Sequence, residues 1–204
     1  MCTEGIKTCY NRLMVFSLLS LFLIPCSFAH STDSIYMGTQ VKLDIASPII
    51  VPAATKWTVQ NYEMAVNVRL AKRWYPTFEL GYAGGYAAQR DSIVYTGHGG
   101  FFRIGCDLNP LKKHPERPHA LLVGVRLGTA VQSKGYTDCW GEIVAGCQVE
   151  IAQVQSTSFY MGWMARFKCL FTRNERYFNP EYIPGFGKRD TIGWGVNYYL
   201  GWRF

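Results

Sequence analysis

Charge is thin in this chain. Asp, Glu, Lys and Arg make up 17% of its 204 residues, against about 25% in ordinary soluble domains. Histidine is scarcer, at four, which leaves little for acid–base or metal chemistry. Beyond residue 29 no apolar run approaches the ~20 residues a helix needs to span a bilayer, so helical spans are excluded there. The cysteines show no C-x-x-C spacing, which argues against a structural zinc site.

Aromatics, by contrast, reach 15%, and Lys+Arg outnumber Asp+Glu by 21 to 14. The N-terminal stretch MCTEGIKTCYNRLMVFSLLSLFLIPCSFA has a basic start at Lys7 and Arg12, an apolar core from Leu13 to Ile24, and the small-x-small site Ser27-Phe28-Ala29. It predicts a signal peptide over 1–29, cleaved after Ala29, with one domain over 30–204. A lipoprotein would instead use Cys26, but Pro25 stands where a lipobox has Gly, Ala or Ser. Cleavage removes Cys2, Cys9 and Cys26 and leaves Cys106, Cys139, Cys147 and Cys169. Export permits disulfides. Three of these four sit on an apolar stripe, where cysteine acts as a small hydrophobe.

Strict alternation recurs along the rest of the chain. Apolar stripes run through 35–43, 62–70, 78–82, 102–108, 121–127, 143–151, 159–167 and 192–204. The last is typical: Ile192, Trp194, Val196, Tyr198, Leu200, Trp202 and Phe204 alternate with Gly193, Gly195, Asn197, Tyr199, Gly201 and Arg203. Period-two patterning in eight segments predicts antiparallel β structure. The connections alternate as well. Residues 46–60 and 172–190 form long loops, 87–95 and 131–139 intermediate ones, and 72–76 and 153–157 tight turns. The polar turn at 109–119 is longer than that scheme expects. Long loops at one end and short turns at the other describe a transmembrane barrel.

Alternation alone does not say which face is inside, since a soluble ligand-binding barrel of the periplasm would turn its apolar face inward. Glycine decides it. Gly81, Gly105, Gly124, Gly128, Gly146, Gly162, Gly193, Gly195 and Gly201 lie on the polar stripe among charges. An eight-stranded barrel is only wide enough for side chains, and glycines leave room for long charged ones. The polar stripe is therefore expected in the lumen, with Lys42, Asp44, Glu63, Arg69, Glu79, Arg103, Asp107, Arg126, Glu142, Glu150, Arg166, Lys168 and Arg203 paired there. The apolar stripe faces lipid, with girdles of Tyr62, Tyr82, Tyr86 and Trp194 at one rim and Trp74, Tyr75, Phe159 and Trp202 at the other.

Three stretches carry a family resemblance: Phe101-Phe102-Arg103-Ile104-Gly105-Cys106-Asp107, Tyr182-Ile183-Pro184-Gly185-Phe186-Gly187, and Gly201-Trp202-Arg203-Phe204. With them the chain resembles small eight-stranded outer-membrane barrels, and more narrowly an uncharacterised Bacteroidetes family classed as a domain of unknown function. The resemblance covers most of 34–204. It implies the barrel and the outer membrane, and no activity. Pro184-Gly185 suits the centre of a type II turn, which would fold the last long loop back on itself. The terminal Phe204 with Trp202 resembles the signal recognised by barrel-assembly machinery, although Tyr199 stands where that pattern prefers Gly.

No catalytic, cofactor-binding or metal-ligating set emerges. A lipid A-modifying enzyme would need His, Ser and a carboxylate converging at the outer rim. Of His30, His98, His114 and His119 only His98 is placed there, with Ser92 its nearest serine. Lys188, Arg189, Arg173 and Arg176 could meet lipopolysaccharide phosphates. Lys112 and Lys113 carry no nucleic-acid meaning in an exported chain. The expectation is an all-β, eight-stranded antiparallel transmembrane barrel of the outer membrane, structural or binding in role, with outer-membrane lipid and the assembly machinery as partners.

Overall fold

A computed structural model describes residues 36–54, 59–70, 73–90, 93–111, 119–172 and 180–204. The leader expected at 1–29 lies outside these residues. So do His30, His114, Lys112, Lys113, Ser92, Arg173, Arg176 and the side chain of Tyr86.

The chain forms strands β1 (Tyr36–Asp44), β2 (Gln60–Leu70), β3 (Trp74–Arg90), β4 (Ile93–Leu108), β5 (Ala120–Gln132), β6 (Thr137–Val154) and β7 (Thr157–Leu170). A two-residue-armed hairpin follows, β8 (Tyr182–Ile183) and β9 (Gly187–Lys188), and then β10 (Ile192–Arg203). A short helix, α1 (Ser47–Ala54), joins β1 to β2. Strands β1 to β7 and β10 close into an eight-stranded barrel in the order β1-β10-β7-β6-β5-β4-β3-β2. Every neighbouring pair is antiparallel. No helix among the described residues is long and apolar enough to cross a membrane, which bears on helices and not on strands.

The two stripes separate as their chemistry requires. Phe78, Ile104, Ile143, Trp163, Phe167 and Trp194 are exposed on the outer wall, while Glu79, Arg103, Glu142 and Arg166 are buried inside. Glycine supplies the room. A Cβ at Gly124 would strike the Asp107 carboxylate, and one at Gly128 the Trp140 indole.

Some local expectations are corrected. Residues 46–60 were expected as loop, but the Asp44 carboxylate accepts hydrogen bonds from the amides of Ala46 (2.9 Å) and Ser47 (3.2 Å) and turns the chain into α1. Pro48 then sits in the first helical turn, where its missing N–H costs nothing. Residues 87–95 do not form an intermediate loop. β3 and β4 continue as a paired ribbon to Arg90 and Ile93, beyond the last β2 partner at Gly84 and the last β5 partner at Gly99. Tyr75 is buried in the lumen and is not a rim residue. Tyr36, expected on the inner stripe, is exposed because the β1–β2 register shifts between Tyr36 and Thr39. Gly38 makes that shift possible, with φ +120°.

A Cβ at Gly38 would lie 2.7 Å from the Phe204 carbonyl oxygen, on the seam where Thr39 and Phe204 exchange main-chain hydrogen bonds. Gly38→Val is expected to lower stability by about 1–3 kcal/mol in urea titrations of the folded barrel, by loosening the β1–β10 closure.

Candidate functional site

The lumen is filled in three layers along the barrel. Arginines and carboxylates form the middle layer. Arg103 approaches Glu79 (2.9 Å), Glu142 (3.2 Å) and Glu63. Arg126 pairs with Asp107 (2.8 Å) and Glu79. Arg166 reaches Glu63, Glu79 and Glu142, each at 3.0 Å, and its Nε donates to Asn197 Oδ1 (2.5 Å). Guanidinium suits this position because its planar fork can serve several carboxylates at once. Beside the layer, next to Lys42 and Tyr199, is a cavity of about 20 Å³, the size of one water.

Buried clusters rich in aromatic side chains flank the ions on both sides. At the turn end Tyr75, Leu122, Val144, Tyr160, Met164 and Tyr199 form one buried cluster, with Tyr160 and Tyr199 edge-to-face at 6.2 Å. At the loop end Phe101, Trp140, Leu170, Ile183 and Phe186 form another. Trp140 is fully buried, and its Nε1 donates to Glu142 Oε1 (2.6 Å), which links the aromatic layer to the ionic one.

The β8–β9 hairpin is the stopper of the loop end. Its turn is the expected one: Phe186 N–H donates to the Ile183 carbonyl (3.1 Å), and Gly185 has φ +74°. Phe186 does not project outward; it packs edge-on against Trp140 at 5.9 Å. Lys168 Nζ donates to the carbonyls of Gly185 (2.7 Å) and Phe186 (3.1 Å). Arg189, read from the sequence as a loop cation, pairs with buried Asp138 at 2.9 Å and anchors the far arm. Burial pushes the phenol of Tyr182, the first residue of the hairpin, up to about 12.

The structure thus brings together the expected luminal charges. Lys42, Arg69, Glu63, Glu79, Arg103, Asp107, Arg126, Glu142, Arg166 and Lys168 are buried, while Arg203 pairs with Glu150 (2.9 Å) nearer the turn-end rim. Trp140 and Tyr75 were missed as lumen residues. Continuing the alternation of β6 two residues back from Glu142 would have found Trp140. His98 is exposed, and its main-chain N–H donates to Ser133 Oγ (3.1 Å). The described residues bring no carboxylate to its ring. Among them, no disulfide joins Cys106, Cys139, Cys147 and Cys169, and no three His, Cys, Asp or Glu side chains are grouped to hold a metal ion.

A family model described as a domain of unknown function (DUF6048) matches residues 6–138 and 129–203. No curated protein and no solved structure matches the chain.

Glu79 touches all three arginines of the middle layer. Glu79→Gln, which leaves their charge short of one carboxylate, is expected to cost about 3–5 kcal/mol of stability, read as a lowered urea midpoint with the β-sheet circular dichroism of the folded state retained.

Proposed function

The chain belongs to the DUF6048 family, and we propose that it is a transmembrane barrel of the bacterial outer membrane, of the Bacteroidetes kind it resembles. Its role is structural or binding, carried by its wall and its loop end. One observation carries this reading: the barrel is inside-out. Its ions are buried, and its closed outer wall presents Phe78, Leu80, Ile104, Val125, Ile143 and Phe167 to the surroundings. Soluble monomers rarely expose apolar patches beyond a few hundred Å². Hydrocarbon tolerates such a wall, and where the strands pair around it no backbone edge is left unsatisfied.

The ends of the wall support the same reading. Tyr62, Tyr82 and Trp194 are exposed toward the loop end, and Trp74 toward the turn end, where Phe159 and Trp202 pack edge-to-face at 6.4 Å. Such aromatic girdles suit the membrane–water interface. Export would use the leader over 1–29, and the β10 strand ending in Phe204 would be the segment read by barrel-assembly machinery. The layered lumen favours a sealed barrel over a solute pore.

Two measurements test the proposal. Expressed with its leader in a Gram-negative host, the protein is expected in the outer-membrane fraction, with an N-terminus at His30 and faster gel migration unheated than boiled. Recovery as a soluble chain without detergent would overturn the reading. Ile143→Lys places a cation in the middle of the wall and is expected to cost about 2–4 kcal/mol in lipid vesicles. A water-facing site would change by no more than about 0.5 kcal/mol.

A further inference from the structure

At the loop end of the closed barrel, the described residues of β10 and β2 run on beyond the end of β1. β1 leaves the wall at Asp44, opposite Tyr199, and the last bond on that side runs from Ile45 N–H to the Tyr198 carbonyl (2.8 Å). β10 nevertheless continues back to Ile192, paired with β7, and β2 extends back to Gln60, paired with β3. Between these two edges, over Ile192–Val196 and Gln60–Glu63, no strand stands among the described residues. The cause is Asp44, whose carboxylate caps the turn into α1 while also accepting from Asn197 Nδ2.

A cleft of about 210 Å³ occupies this notch. Its outer side is apolar, formed by Ile50 and Val51 of α1 with Trp194 and Val196 of β10. Trp194 is 82% exposed on the outer wall. Its inner side is polar and includes Asn61 and Lys168, whose side chains belong to the lumen. The cleft therefore connects the apolar exterior to the loop end of the lumen through the side of the barrel.

Charge within the cleft is uneven. Lys168 is buried, and both its bonds go to neutral carbonyls, those of Gly185 and Phe186. An ammonium has three donors, so one is left over. Glu142, its partner across the β6–β7 ladder, is occupied by Arg103, Arg166 and Trp140. Glu63, on the opposite wall of the cleft, is held by Arg103 and Arg166. Among the described residues no carboxylate lies within ion-pair distance of Lys168 Nζ.

We propose that this lateral notch binds a single-chain lipid with an anionic head group, taken from the surrounding leaflet. The head enters sideways to meet Lys168, and the acyl chain leaves past Val196 and Trp194 along the outer wall. The cleft holds the head and the first methylenes; the rest of the chain stays in hydrocarbon. The source of the ligand rests on the outer-membrane reading, whereas the notch and its charge do not.

The test uses the full mature chain folded in maltoside micelles, titrated with laurate, dodecanol or dodecylamine and read by native mass spectrometry. Laurate is expected to bind at one equivalent, about tenfold or more tighter than either neutral or cationic analogue. Lys168→Met should bring laurate down to the level of dodecanol. Because that change also releases the hairpin from Lys168, Gly195→Leu is the second variant. A Cβ at Gly195 lies 3.6 Å from Lys168 Nζ, in ordinary contact, and the rest of the leucine is expected to fill the cleft. It should abolish binding of all three ligands while unheated gel migration stays that of the folded barrel. Laurate binding no tighter than dodecanol, or undiminished in folded Gly195→Leu, overturns the proposal. A heat-modifiable outer-membrane barrel that fails this titration sinks the lipid site alone. Recovery of the chain as a soluble protein sinks the membrane reading, and laurate selectivity would still decide the notch.

Discussion

Ions buried across a narrow lumen set the terms for everything else in this protein. Glu63, Glu79, Asp107 and Glu142 meet Arg103, Arg126 and Arg166 in one connected layer. A buried charge is tolerated only when paired and hydrogen-bonded, so each of these residues depends on several strands being in register. A slip of one residue would send a whole stripe through the wall, exchanging Arg166 for Ala165 or Phe167 inside. The network is thus better seen as fixing register than as adding stability, since desolvation offsets much of its Coulombic gain.

Such a layer must also be shielded from bulk water at the two ends, and the two buried clusters do that. Leu122, Val144 and the tyrosines Tyr75, Tyr160 and Tyr199 close the turn end, while Trp140 and Phe101 with the β8–β9 hairpin close the loop end. The hairpin is held by Lys168 from below and by the Arg189–Asp138 pair from the side. With both ends closed, chemistry at this protein's surface belongs to the outer wall, the loop rim and the notch that β1 leaves open. Lys168 joins two of these, since the lysine that holds the stopper also faces the notch.

Much of this was legible beforehand, for a physical reason. Which face of a strand meets lumen or surroundings is written in alternation, a property of neighbouring residues, so the eight segments and their inward charges could be read directly. The Pro184-Gly185 turn was legible on the same basis, because its geometry is set by those two residues. Where local rules gave out, long-range contacts had taken over. SPIIVPAA has no helical period to betray α1, and it forms where Asp44 caps the turn. The β3–β4 ribbon outruns its neighbours because its two strands pair with each other alone. Tyr75 looked like a rim aromatic and Phe186 like a loop one, and both turned inward with Trp140 to cover the ions.

By itself, then, the sequence determined that the chain is an all-β barrel of eight antiparallel strands with charge inside and an apolar wall outside. Period-two patterning and the placement of glycine suffice for that. Only the tertiary structure decided which arginine serves which carboxylate, that Arg189 is committed to Asp138, and that β1 stops short of β10. Those facts depend on shear and closure, which bring residues more than a hundred positions apart, such as Glu63 and Arg166, within hydrogen-bond reach. No local pattern records such a meeting.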